Sequence, residues 1–221
     1  MNSVLVIAPH ADDETLGCGG TLLRHKAEGD DIHWLLLTSM SAGARYSRQQ
    51  VASRREQIET VADAYGFKST NCLEYSPASL DQVPRSDLVA AIGKAIEATE
   101  AAVVYAPHDG DIHSDHRIAA AAVHATSKWF RYPSVTTILS YETLSETDFA
   151  LALRDRFVPN YFVDITEFID KKIEILKVYE SELGAHPFPR SETSIQALAQ
   201  LNGAKIGTMA AEAFHLLKHR A

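Results

Sequence analysis

Cysteine is nearly absent: Cys18 and Cys72 are the two in 221 residues, and they show no framework spacing. A disulfide-stapled scaffold is therefore excluded, and both read as small buried residues rather than ligands. No stretch approaches the ~20 consecutive apolar residues of a membrane-spanning helix. Basic charge is short as well, with 21 Lys and Arg against 29 Asp and Glu for a net charge of −8. This leaves no overall footprint for nucleic acid, despite a local basic cluster of Arg45, Arg48, Arg54 and Arg55, and favours a small-molecule partner. The opening MNSVLVIAPH lacks the basic region and long apolar core of a secretion signal, so the expectation is a cytoplasmic protein. Repeats, low-complexity tracts and Gly, Ser or Pro linkers are missing too, and residues 1–221 are expected to form a single domain.

What is present is an alternation of short apolar runs with helical patterns. Val4 to Ala8, His33 to Thr38, Asn71 to Tyr75 and Val103 to Ala106 suit buried strands of a parallel sheet. Helical periodicity fills Glu14 to Glu28, Arg48 to Tyr65, Ser86 to Glu97 and Ser114 to Lys128. The pattern predicts an α/β fold, a Rossmann-like doubly wound, mostly parallel sheet with a core of order 3-2-1-4-5. C-terminal additions follow: strands in SVTTILSYET and YFVDIT, then helices over Glu167 to Leu183 and Glu192 to His215. On the last helix Ile195, Leu198, Leu201 and Ile206, with Gly203 and Gly207, read as a core-facing stripe with a close-packing patch. SMSAGARYSRQQ, after the second strand, reads as a loop.

Two clusters carry the chemistry. APHADDETLGCGG follows the first strand, and HDGDIHSDHR follows the fourth. In a 3-2-1-4-5 sheet those strands are neighbours at the topological switch point, where ligands bind beyond the carboxyl ends. One crevice would then hold His10, Asp12, Asp13, Glu14, His108, Asp109, Asp111, His113, Asp115 and His116. Such a density of imidazole and carboxylate suits a divalent cation, which would offset the crowded negative charge. A catalytic zinc takes three protein ligands and keeps a position for water, so two histidines and one aspartate suffice. His113 and His116 lie on neighbouring positions of one helix face, and spacing alone does not choose between them. A metal hydrolase also needs a base, and adjacent Asp12 and Asp13 could divide the roles of base and ligand.

A single Asp or His at a strand end is commonly a cap or a satisfied surface group. Two clusters joined by topology are harder to explain that way, whereas His33, His124, His186 and His215 keep ordinary structural roles. The rival reading of GCGG as a dinucleotide fingerprint meets the acidic residues first, which would repel a pyrophosphate. Gly17, Gly19 and Gly20 then fall inside the first helix as packing residues. A nucleotide-binding module without hydrolysis is the alternative from another class. Cleavage of the amide of a thiol conjugate, or of a phosphoester, is the alternative on the same ligands.

PHADDE followed by GCGG, with HSDH about a hundred residues later, resembles the LmbE-like or PIG-L family of zinc-dependent N-deacetylases. The likeness continues through RREQIETVADAYG, PNYFVDITEFIDKKIEILKVYES and AAEAF. Ala11 and Ser114 stand where that family usually has proline, and both are spacers. The resemblance implies removal of the acetyl group from an N-acetylated amino sugar or its conjugate, of the N-acetylglucosamine type, by metal-bound water. It implies Zn²⁺ or another divalent metal on His10, Asp13 and His116, with Asp12 as general base. It further implies that His113 stabilises or protonates the tetrahedral intermediate and that Asp115 orients a histidine. Arg54 aligns with an arginine that contacts the substrate sugar in relatives. Asp111 stands where some members carry a mobile tyrosine. Relatives commonly form homo-oligomers, and no stripe in this sequence bears on that.

Overall fold

The computed structural model describes residues 1–152 and 156–221. Its centre is a seven-stranded sheet of order β3-β2-β1-β4-β5-β7-β6. The strands are β1 (Ser3–Ala8), β2 (Asp31–Thr38), β3 (Ser69–Tyr75), β4 (Val103–Pro107), β5 (Thr137–Tyr141), β6 (Tyr161–Asp164) and β7 (Ala211–His219). The helices are α1 (Asp13–Ala27), α2 (Arg48–Tyr65), α3 (Arg85–Thr99), α4 (Ser114–Ala125), α5 (Ile169–Leu176) and α6 (Glu192–Ile206). Strands β1 to β5 pair in parallel, and β7 runs antiparallel between β5 and β6. The doubly wound 3-2-1-4-5 core is present as expected.

Burial on both faces explains the apolar runs of β1, β2 and β4, whereas β3, expected from Asn71 to Tyr75 as a buried strand, lies at the sheet edge and is exposed or half-buried throughout. In β1, Val4, Val6 and Ala8 enter one core with Leu22 of α1, Val61 of α2 and Ile173 of α5. The alternate residues Leu5 and Ile7 enter the other core, with Leu88 and Ile92 of α3 and Ala119 and Val123 of α4. Helix α2 has the predicted bounds because local chemistry sets both ends. Ser47 and Gln50 form a reciprocal capping box, and Gly66 closes the helix at φ +67°.

Three further expectations are corrected. The helix expected over Glu192 to His215 ends at Ile206, where Gly207 turns the chain at φ +79°, and Ala211 to His219 form β7. Apolar periodicity did not distinguish this strand from a continued helix, because its first four residues are all buried. The stripe on α6 is only partly a core stripe, for Ile195 is buried while Leu201 is 60% exposed. The helix expected over Glu167 to Leu183 is the shorter α5 followed by a 3-10 turn at Glu180–Glu182.

The glycines of α1 are packing residues, as expected. A Cβ on Gly17 would run into the Tyr141 ring, and one on Gly20 would lie 2.8 Å from Ile165. Helix α1 is also broken at Cys18, whose φ of −145° is not helical. A buried ion pair supplies what the break removes. Glu212 of β7 accepts from the N–H groups of Gly20 and Thr21 at 2.9 and 2.7 Å, and Lys172 donates to Leu16 O at 2.9 Å. Lys172 Nζ and Glu212 Oε1 lie 2.7 Å apart. Among the described residues no helix is long and apolar enough to cross a membrane.

Candidate active site

Strands β1 and β4 lie side by side, and the chain leaves them toward opposite sides of the sheet, to β2 and to β5. The loops after Ala8 and Pro107 therefore open a crevice between them, which is the switch-point geometry. It contains a cavity of about 260 Å³, with His10, Asp12, Asp13, His113 and His116 among the residues lining it. The two sequence clusters do meet.

At the floor, one donor atom from each of His10, Asp13 and His116 lies within 4.8 Å of the others. His116 Nε2 is 3.2 Å and His10 Nδ1 3.4 Å from Asp13 Oδ2. Behind them stand two further carboxylates. Asp111 Oδ2 lies 2.8 Å from His116 Nδ1, and Asp115 Oδ2 lies 3.0 Å from His10 Nε2. Each carboxylate fixes its imidazole with a proton on the outer nitrogen and a lone pair on the inner one, the arrangement of metal-binding histidines. Asp111 also accepts from Thr147 Oγ1 at 2.6 Å, and Asp115 accepts from the N–H groups of Ala78 and Leu80.

The electrostatics ask for a cation here. Burial alone would lower the His10 pKa, but Asp115 and Asp13 outweigh it and raise the value to about 9. His116 is likewise raised against its burial, by Asp13 and Asp111. Burial opposes ionisation of Asp13 as well, yet the two imidazoles hold its carboxyl well below the usual range. Three buried carboxylates around two imidazoles thus favour positive charge at their centre, and the donor set of two nitrogens and one oxygen fits a divalent metal.

Asp12 adjoins this trio in a backbone conformation rare for a residue with a side chain, at φ +142°. Strain of this kind costs roughly 1–3 kcal/mol and persists where surrounding contacts enforce it. Glu14 supplies one such contact, its Oε2 accepting from Asp12 N at 3.0 Å while its Oε1 accepts from Thr15 Oγ1 and Tyr179 Oη. Burial, and then the Asp13 charge, push the Asp12 pKa well above the usual range, with Arg190 opposing. A cation on the trio would draw it down again. Glu14, fully buried, is raised to about 7 by desolvation.

His113 is the N-cap of α4, its Nδ1 accepting from Asp115 N at 3.1 Å. The ring proton is therefore on Nε2. Burial and the neighbouring His10 and His116 push its pKa down to about 4, which makes it a neutral donor.

Arg54 lines the cavity and is held there, Nη1 donating to Ala11 O at 3.0 Å and Nη2 to Ser181 Oγ and Glu182 Oε1. Other candidates do not reach the cavity. His108 packs on Phe157, and Asp109 points to solvent. Asp111 has no place in the cavity wall, and it backs His116 instead.

Sequence reading missed Arg190 and Glu182. Both line the cavity, Arg190 Nη1 lying 3.5 Å from Asp12 Oδ2. They come from the segment between α5 and α6, where no local pattern marks them.

Residues 5–127 match the family model PIG-L, GlcNAc-PI de-N-acetylase. The chain is 27% identical over 226 residues to the diacetylchitobiose deacetylase of Thermococcus kodakarensis, covering 96% of this chain and 82% of that protein. Among solved structures, the conserved protein TT1542 from Thermus thermophilus superposes with a TM-score of 0.79 at 28% identity, covering 100% of this chain and 97% of the other. The 4-carboxy-2-hydroxymuconate hydratase GalB from Pseudomonas putida gives a TM-score of 0.76 at 17% identity, covering 100% and 98%. That last likeness is one of fold alone, so function has to be read from the site. With its motifs at the switch point and more than half its length matched, the chain belongs to the PIG-L family.

Proposed function

We propose that this protein is a metal-dependent N-deacetylase that hydrolyses the acetyl amide of an N-acetylated amino sugar or its conjugate. The observation that carries this is the convergence of His10, Asp13 and His116 donor atoms beside Asp12 at the floor of the cavity, in a PIG-L family member. The relative from Thermococcus kodakarensis, named a diacetylchitobiose deacetylase, supports the substrate class. At about 260 Å³ the cavity is close to the lower end of the ~300–1,000 Å³ usual for small-molecule sites.

His10, Asp13 and His116 would hold the cation, with zinc the best match to two imidazoles and one carboxylate. When bound, it polarises the acetyl carbonyl and makes water a better nucleophile. Asp12, adjacent to the trio and facing the same cavity, accepts a proton from the attacking water. His113 directs its Nε2–H at the carbonyl oxygen as negative charge develops there. As the C–N bond breaks, Asp12 returns that proton to the nitrogen, so the free amine and acetate are the products and the carboxylate is restored. Asp115 and Asp111 orient the two histidine ligands. Arg54, on the cavity wall, contacts the sugar with whatever donor capacity its protein bonds leave.

Acetate release from a panel of N-acetyl sugars, run with and without a chelator, tests the reading. Chelator-sensitive release is expected. No release from any of them, alongside hydrolysis of a thiol-conjugate amide or a phosphoester, would overturn it.

A further inference from the structure

We propose that Arg190 is a positioning residue that fixes the Asp12 carboxylate, and this rests on Asp12 being the general base. Among the described residues, Arg190 is the one polar side-chain partner of that carboxylate, with Nη1 3.5 Å from Oδ2. Arg190 is itself held from two directions. Its Nη2 lies 3.4 Å from Glu182 Oε2, and its guanidinium sits 5.6 Å from the centre of the Phe188 ring. Glu182 turns its other oxygen to Arg54 Nη2, and Arg54 Nη1 bonds Ala11 O at 3.0 Å.

These contacts close a ring. It starts on the backbone of Ala11, passes through Arg54, Glu182 and Arg190, and ends on the side chain of the next residue, Asp12. The strained turn is thus braced at its backbone and at its carboxylate by one chain of ion pairs. A base needs one oxygen held toward the water it deprotonates. Arg190 engages Oδ2 and leaves Oδ1 to accept the proton. Without that contact the carboxylate turns freely in the cavity, and misplacement of about 1 Å costs on the order of 10²-fold in rate.

The test uses the full chain loaded with zinc, comparing Arg190→Met, Arg190→Lys and Glu182→Gln with the wild type on an N-acetyl sugar that it hydrolyses. Arg190→Met should lower kcat by ~10²-fold with KM little changed and zinc content intact. Arg190→Lys should restore part of the rate, and Glu182→Gln, which loosens Arg190 indirectly, should lose less. In an Asp12→Asn background, Arg190→Met should cost nothing further, because both act through one carboxylate. A raised KM at unchanged kcat, or losses that add in the double variant, would make Arg190 a substrate contact and overturn the proposal. A crystal structure of Arg190→Met gives a readout independent of turnover: an unmoved Asp12 carboxylate refutes positioning even if no sugar proves to be a substrate. Absence of acetate release by the wild type would count against the deacetylase reading alone.

Discussion

The Glu14 carboxylate accepts a hydrogen bond from the backbone N–H of Asp12 at 3.0 Å, across a residue held at φ +142°. A buried glutamate thereby enforces the conformation that puts Asp12 in the cavity and Asp13 among the imidazoles. Glu14 has no place in the cavity lining, so its contribution is to the shape of the turn.

Glu14→Ala is expected to leave Asp12 N and Tyr179 Oη without a partner inside the protein. Each orphaned group costs ~1–3 kcal/mol, so denaturant unfolding should show a clear loss of stability. Glu14→Gln, which keeps an acceptor, should lose less.

Asp12→Asn should bind metal as the wild type does and lose turnover by ~10²–10⁴-fold, the usual contribution of a general base. Steady-state rates read beside elemental analysis check this. Unchanged turnover removes Asp12 from the mechanism.

Elemental analysis of purified protein should find about one divalent ion per chain, as in a mononuclear catalytic site. His10→Ala and Asp13→Ala should abolish that binding. Asp111→Ala, which frees the outer nitrogen of His116, should weaken metal affinity by ~10–100-fold in a chelator competition.

Gly17→Ala should destabilise the fold by roughly 1–3 kcal/mol, because the Tyr141 ring and β5 must shift to admit a methyl group. Thermal unfolding measures it. A neutral result would contradict the close approach of α1 to the sheet.

Breaking the ion pair beneath the bend in α1 should cost more. Lys172→Met leaves the Glu212 carboxylate buried without its cation, a loss of about 3–5 kcal/mol for pairs of this type. Adding Glu212→Gln should recover part of it, which a double-mutant cycle in denaturant would show.

The centre of the parallel core was legible in the sequence because β1, β2 and β4 are buried on both faces and so appear as apolar runs, whereas the edge strand β3 is exposed or half-buried throughout. The ends of α2 were legible for a similar reason, since Ser47, Gln50 and Gly66 cap it with their own chemistry. Strand β7 was not. Its first residues are buried throughout, Glu212 among them because Lys172 neutralises it, so neither alternation nor polarity set it apart from a continued α6.

The same division runs through the site. Neighbours in sequence announced His10, Asp12 and Asp13, and neighbours in a second motif announced His113, Asp115 and His116. The crossover rule for parallel strands joins the two motifs without any tertiary detail. Sequence alone thus determined the parallel 3-2-1-4-5 core, the cluster of donors and the family resemblance, all of which depend on local patterns or on chain topology. Tertiary structure decided that Asp111 backs His116, that Glu14 holds the turn, and that Glu182 and Arg190 brace Asp12. Arg190 lies 178 residues from Asp12, and a contact across that separation is set by how α5, α6 and the turn between them pack on the sheet. No local pattern records such packing, because burial and partner choice are fixed only when distant segments exclude water together.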